Sequence, residues 1–362
     1  MQTTQDISFD SALISPRFAA DCPQLFHLNE LSARERLLVL QKIESNFYLR
    51  TPRRCRMCDG PDFSVLAEQD RYGFPVQTSV CHGCGLVQTN PDFRPEDYID
   101  FYTHHYRRLY IADLVGEPKD LFQEELWRGQ KIYRFVRKHA LFTSSPFVLE
   151  VGCGAGGILQ AFRERGFDVL GTDYGAENLA YGKSRGMDIR QGDLFSLNLE
   201  RRLDLIIYSH VLEHVYDPNR ELAKVRELLA PDGYLYIEVP GIRATRTNVF
   251  QGDFMQMFHL AHIYNFTLAT LTRLLADNGF QLVAGNEEVR SLFRKGEATG
   301  RQSGECAEVI AYMRGTEKHR SFYRAVFRVR SRMRSVAERA RAVTVSFLKA
   351  MGVYSWVRRL LS

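Results

Sequence analysis

No stretch of this 362-residue chain reaches the roughly 20 consecutive apolar residues that a membrane-spanning helix needs. The opening residues, MQTTQDISFDSALISPRF, lack a basic flank followed by an apolar core, so no secretory leader is expected and the expected location is the cytoplasm. Internal repeats and low-complexity tracts are absent, which excludes solenoid and collagen-like architectures. Cysteine is scarce and odd in number, with 7 residues, which argues against a disulfide framework. Excess charge of one sign is also missing from most of the chain. The net charge is +5, but residues 317–362 hold 12 Lys/Arg against 2 Asp/Glu, so the remainder is acidic. A body of that charge is not expected to bind nucleic acid specifically.

The length accommodates two or three units. Residues 1–28 show no period and read as irregular. Residues 31–50 have helical spacing, with Ser32 and Glu35 as a capping box. Residues 53–92 carry two cysteine pairs among short extended segments, and residues 94–142 read as helices. From Phe147 onward, strands and helices alternate. FVLEVGC, DVLGTDY, MDIRQGD, LDLIIYS, YLYIEVPG, QLVAGNE and EVIAYMR read as strands. The helices between them predict a parallel, doubly wound, Rossmann-like α/β sheet, and the last strands, with no helix between them, predict an antiparallel end. A Pro-Asp-Gly sequence at 231–233 is expected to stop the helix before YLYIEVPG.

The strongest signal is the run from Val148 to Gly157, VLEVGCGAGG. A strand must turn sharply into a helix here, and Gly152, Gly154 and Gly156 allow the turn and leave room for a ligand against the main chain. The same glycines with Gly157 also fit a dinucleotide fingerprint. Glu150 separates the readings: it would repel a pyrophosphate and suit a cationic ligand. Asp173 ends the next strand, where a carboxylate can accept from ribose hydroxyls, and Asp193 ends the third, where it can accept from an adenine amino group or cap a helix. With these residues in place, residues 147–240 resemble the core of class I S-adenosylmethionine-dependent methyltransferases. The resemblance implies S-adenosylmethionine as cofactor, with Glu150 to Gly156 at its methionine end. Asp173 would lie at the ribose, Asp193 and Leu194 at the adenine, Ser209 and His210 would line the site, and Tyr174 counts among the cofactor-binding residues.

His210-Val-Leu-Glu213-His214 spells a pattern found in some zinc peptidases, but it follows a strand in mid-sheet. LEHVYDP resembles the segment after the fourth strand of methyltransferases. His214 and Glu213 either orient the next helix, or His214 takes a proton from a substrate hydroxyl. Related quinone methyltransferases hold a metal ion with a similar acidic-His segment; His210 stands where those enzymes carry an acid. Further on, the segment around His259 and His262 resembles the His-x-x-x-Phe segment of zinc-containing sugar C-methyltransferases, in which a Glu-His pair serves proton abstraction. Ala261 replaces the Glu, so His262 alone carries over. A packed, hydrogen-bonded histidine is the plainer reading of His262. Methyl transfer needs mostly alignment, and a base only where the nucleophile must lose a proton.

Cys55 and Cys58, with Cys81 and Cys84, form two Cys-x-x-Cys pairs separated by 22 residues, the arrangement of a closed four-thiolate structural zinc site, with redox-active pairs or unligated cysteines as the alternatives. The run from Cys55 to Phe93 resembles the zinc-binding domain in front of methyltransferases of sugar and polysaccharide biosynthesis. That implies a small-molecule acceptor such as a nucleotide-linked sugar or glycan unit. Phe101, Tyr102, Tyr106 and Tyr110 either pack a helix to the core or close over a ligand. Arg320, Arg324, Arg328 and Arg332 repeat every four residues, and Lys349, Arg358 and Arg359 extend the charge. A basic amphipathic helix of this kind suits an anionic membrane surface or a protein partner. The expected units are 1–52, an irregular segment and helix; 53–93, a zinc-ribbon-like module; 94–146, a helical connector or lid; 147–315, the methyltransferase domain; and 316–362, the basic helical extension. A non-catalytic zinc-containing scaffold on the same fold and an NAD-dependent oxidoreductase are the rival functions.

Overall fold

The computed structural model describes residues 7–22, 26, 28–111, 117–142, 145–296 and 305–333. The amino-terminal elements are β1 (Ser8–Ser11), α1 (Glu30–Glu44), β2 (Arg50–Thr51), β3 (Asp62–Ala67), β4 (Thr78–Cys81), β5 (Val87–Thr89), β6 (Asp92–Phe93), α2 (Pro95–His104) and α3 (Pro118–His139). The remainder comprises β7 (Phe147–Val151), α4 (Gly157–Arg163), β8 (Asp168–Asp173), α5 (Ala176–Ser184), β9 (Ile189–Gln191), β10 (Leu203–Ser209), α6 (Pro218–Leu228), β11 (Leu229–Glu238), β12 (Tyr264–Asn265), α7 (Leu268–Asp277), β13 (Phe280–Gly285), β14 (Arg290–Lys295) and α8 (Cys306–Lys318). A further helix covers 320–333.

The larger sheet has the order β13-β14-β11-β10-β7-β8-β9. β9, β8, β7, β10 and β11 are mutually parallel, and β14 runs antiparallel to both β11 and β13. Side chains alternate along each strand, so one sequence supplies two cores. Val148, Leu205, Ile207, Tyr236 and Leu292 face α3, α4 and α5, meeting Ile132, Val136, Ile158, Phe162 and Leu179. Leu149, Ile206, Tyr208, Leu235, Ile237 and Phe293 face α6 and α7, meeting Leu222, Val225, Leu271 and Leu275. This is the doubly wound arrangement expected from the alternation of strands and helices.

The smaller sheet, β1-β3-β4-β5-β12, combines segments far apart in the chain. β1 lies parallel to β3, so part of the stretch read as irregular is a strand: a four-residue edge strand is too short to show a period. β12 is contributed from beyond β11 and pairs antiparallel with β5. The cap of α1 also differs from expectation. Asn29 accepts from Ser32 N, while Ser32 Oγ donates to Arg108 O and Glu35 pairs with His105, so Ser32 and Glu35 are buried packing partners rather than a capping box.

Two strand assignments are corrected. EVIAYMR, residues 308–314, lies in α8, where Val309, Met313 and Thr316 face inward at helical spacing and pack with Ile14, Phe18 and Phe254. The antiparallel strand is instead β14, whose central residues Ser291, Leu292 and Phe293 are buried between charged ends. Pro231, Asp232 and Gly233 do not cap α6 either. That helix ends at Leu228, and residues 230–233 bulge out of β11 between the pairs Leu203/Leu229 and Leu205/Tyr234.

Candidate functional site

Parallel register brings the chosen residues to one rim. Val151 lies opposite Thr172 on one side and Tyr208 on the other, and Asp173 lies opposite Gln191. Glu150, Asp173, Asp193, Ser209 and His210 therefore all fall at the carboxyl ends of β7, β8, β9 and β10. Asp173 accepts from Gly154 N at 3.0 Å through one oxygen and from Gly175 N at 2.6 Å through the other. Asp193 accepts from Phe195 N and Ser196 N, both at 3.0 Å, so it does cap a short helical turn. Tyr174 is exposed and donates to Asp193 at 3.2 Å. Leu194 is fully buried, and the buried Ser209 hydroxyl has no partner within the protein.

The glycine bend is shaped by packing as much as by open space. Gly152, Gly154 and Gly156 all have positive φ, at 68°, 53° and 82°. A Cβ on Gly152 would lie 2.6 Å from Val211, and one on Gly154 would lie 2.1 Å from the Glu125 carboxylate. Glu125 comes from α3 and accepts from Gly157 N at 3.0 Å. It is a site residue that the sequence reading passed over. Burial pushes its carboxyl up to about 7, against the opposing pull of the Gly157 and Ala155 N–H groups. Burial and the Glu125 charge hold Glu150 well above the usual carboxylate range, and one Glu150 oxygen has no partner. The rim thus gathers three acids, Glu125, Glu150 and Asp173, beside bare main chain. A cation bound there would ease their mutual repulsion.

Beyond β10 the chain enters a second polar cluster. Glu213 is 1% exposed and neither of its oxygens has a hydrogen-bond partner. His214 places Nδ1 2.8 Å from Ala261 O, and Tyr102 donates to the same carbonyl at 3.0 Å. A carbonyl only accepts, so Nδ1 carries a proton. His262 lies tilted against His259, with ring centroids 3.6 Å apart, and edge-on to His214 at 4.9 Å. Burial first, then neighbouring positive groups, pushes both His259 and His262 well below the usual imidazole range, so both are neutral. Tyr102 and Tyr106 meet the His214 ring, and Tyr110 meets His259 at 4.9 Å. The aromatic stripe therefore both packs α2 and walls this cluster.

Residues 118–284 match the family model of a methyltransferase domain. Among curated relatives, the C-methyltransferase NovU of Streptomyces niveus is 27% identical over 253 residues, covering 63% of this chain and 56% of that protein. A ubiquinone biosynthesis O-methyltransferase of Rhodopseudomonas palustris is 29% identical over 96 residues, 25% of this chain and 38% of its own length. The chain thus spans little more than half of the first and well under half of the second. The matched segment begins at α3, whose Gly129 crosses α4 so closely that a Cβ would lie 2.7 Å from Ile158 Cα.

In front of the segment that matches the methyltransferase model, the four cysteine sulfurs converge. Cys55 and Cys84 are 3.5 Å apart, as are Cys58 and Cys81, and all four sulfurs lie within 4.8 Å of one another. Sulfurs at about 2.3 Å from a tetrahedral ion would sit about 3.8 Å apart, so the set fits such an ion with little adjustment. Asp59 and Gly85, both with positive φ, close the two knuckles by donating to Cys55 O and Cys81 O. Cβ atoms on Gly60 or Gly83 would crowd Cys58 Sγ, at 3.3 and 3.2 Å. No helix among the described residues is long and apolar enough to cross a membrane. The predicted basic helix is helical over 320–333, where Phe322, Val329 and Met333 are exposed. Arg320 and Arg324 pair with the buried Asp253, whereas Lys349, Arg358 and Arg359 lie outside the described residues.

Proposed function

We propose that the chain is an S-adenosylmethionine-dependent methyltransferase acting on a small-molecule acceptor, a nucleotide-linked sugar or glycan unit. The observation that carries the reading is the gathering of Glu125, Glu150 and Asp173 around the glycine bend at the sheet's carboxyl rim. S-adenosylmethionine supplies a methyl group already activated on a positively charged sulfur. Glu150, Gly152, Gly154 and Gly156 would take its methionine portion. Asp173 spends one lone pair on each of two N–H groups and keeps others for ribose hydroxyls. Asp193, Leu194 and Tyr174 would frame the adenine, with Ser209 and His210 closing the site toward the acceptor. His214 and His262 stand on the acceptor side as the groups available to take a proton. The name of the Streptomyces relative favours methylation at carbon, which requires such a proton acceptor.

Cys55, Cys58, Cys81 and Cys84 would hold a structural zinc ion, because four thiolates leave no open position for chemistry. The basic helix over 320–333, with apolar Phe322, Val329 and Met333 outward, would rest on an anionic membrane surface. Titration calorimetry tests the central claim. The full chain is expected to bind S-adenosylhomocysteine, and Asp173→Ala should weaken it by at least tenfold, about 1.4 kcal/mol. Binding of NAD in place of S-adenosylhomocysteine would overturn the reading.

A further inference from the structure

We propose that Arg71 holds an anionic oxygen group of the acceptor, a phosphate or a carboxylate, in a subsite completed by Tyr110 and His259. Arg71 lies in the loop between β3 and β4, so the cysteine-bearing sheet and not the larger one would grip the ligand. Hydrogen bonds fix this loop. Asp70 Oδ1 accepts from Tyr72 N at 2.8 Å and from Phe74 N at 3.0 Å, and its other oxygen accepts from Leu260 N at 3.0 Å. Arg71 N in turn donates to Phe258 O at 3.0 Å. The loop is thereby tied to the segment that carries His259 and His262.

The guanidinium is a cation that no carboxylate pairs. Among the described residues it makes no ion pair: NH1 donates to Gln256 O at 3.1 Å, and Nε is buried with no acceptor. Asp70 is its neighbour in sequence, but both Asp70 oxygens accept from main-chain donors. The guanidinium lies over two aromatic rings instead, 4.8 Å from the centroid of Tyr72 and 4.9 Å from that of Tyr110. Ring faces attract a cation but accept nothing from its N–H edge. The groups around it are unpartnered too. Tyr110 is 6% exposed and its hydroxyl has no partner. The Tyr110 ring lies 4.9 Å from that of His259, which lies 3.6 Å from that of His262, and Nδ1 of each histidine is buried without a partner. Buried polar atoms without partners are rare singly, and a run of four calls for ligand atoms to complete their bonding. Arginine only donates, a phenol donates, and each neutral imidazole holds one N–H, so the group that satisfies them is rich in acceptors. Arg71 and His259 are only partly buried, which leaves a way in. Beyond His262 the sign reverses: Glu213 Oε1, also without a donor, lies 4.0 Å from His262 Nε2. An acceptor with an oxyanion at one end and a hydroxyl at the other matches both ends of this row. That orientation rests on the methyltransferase reading; the anion subsite does not.

Titration calorimetry of the full chain with inorganic phosphate and with acetate, each with and without S-adenosylhomocysteine, tests the subsite. Saturable binding of at least one anion is expected, and the tighter of the two names the anionic group of the acceptor. Arg71→Gln should weaken it roughly tenfold or more, and Arg71→Lys, which keeps the charge but not the forked donors, by less. Tyr110→Phe separates a ligand contact from a structural one. Its hydroxyl has no partner within the protein, so its removal should leave the urea midpoint unchanged and yet weaken the anion about threefold or more. S-adenosylhomocysteine affinity, measured on every variant, reports folding and tests the methyltransferase reading separately. Binding of neither anion by the wild-type chain, or binding of equal affinity in Arg71→Gln and Tyr110→Phe, would overturn the subsite whether or not S-adenosylhomocysteine binds.

Discussion

Glu125 shows how much a single buried carboxyl can decide. Its folded pKa of about 7 stands above the ordinary glutamate value of 4.5, with burial the leading cause. Between those values the folded chain holds a proton that the unfolded chain has released, so stability falls as pH rises from about 4.5 to about 7 and then levels off. The drop is of order 3 kcal/mol for a shift of this size. Urea denaturation of the wild-type chain and of Glu125→Gln at pH 5 and pH 8 should show this slope in the first and its loss in the second. Because S-adenosylmethionine carries one more positive charge than S-adenosylhomocysteine, its affinity should rise more steeply across the same interval. Asp173 and Glu150 were legible because they end strands. Glu125 was hidden in a helix crowded with charge, although Phe122, Glu125, Gly129, Ile132 and Val136 form its inward face and a lone acid on such a face is itself a signal.

At the scale of elements, strands buried on both faces were readable because their apolar runs are bounded by turn residues and by helices of different period. Two of the misread elements, α8 and β14, share a cause. A seven-residue apolar segment such as EVIAYMR has too few turns to show its period, and a strand such as β14 with Arg290, Arg294 and Lys295 at its ends does not stand out as apolar. The contact between α3 and α4 was invisible for another reason, since nothing in a sequence says which two helices touch. Gly129 is where they meet, against backbone atoms that cannot swing aside. Gly129→Ala would gain about 1 kcal/mol of helix propensity. It must push α4 away by several tenths of an ångström, at a cost of typically 1–3 kcal/mol. A net loss of stability of up to about 2 kcal/mol is therefore expected in urea denaturation, and a gain would show that the crossing is looser than described.

Across the whole molecule, the two sheets meet where the acceptor would lie. β12 leaves the chain that builds the larger sheet to extend the cysteine-bearing sheet, and Thr89 bonds the backbone of His262 and Ile263. On the other side of the cysteine cluster, the Arg56 guanidinium lies 4.0 Å from the ring centroid of Tyr216, two residues after His214, and Asn219 donates to Arg56 O. Tyr264 also donates to Tyr216 O. The cysteine module thus braces both segments that carry His214 and His262, while Asp173 and Glu125 are held by α3 and β8. A structural zinc ion contributes roughly 10 kcal/mol or more in small modules, comparable to the 5–15 kcal/mol that holds a whole domain together. Removing one sulfur of the four-cysteine cluster, and with it any ion that the cluster holds, should therefore open the bracing sheet while leaving the larger sheet folded. Hydrogen exchange on Cys84→Ser is expected to speed up across residues 87–89 and 259–265, with S-adenosylhomocysteine affinity within about threefold of wild type, well under 1.4 kcal/mol. Unchanged protection of 259–265 in that variant would mean that the cysteine module does not support the acceptor side. The histidine cluster would then owe its geometry to the larger sheet and its helices alone.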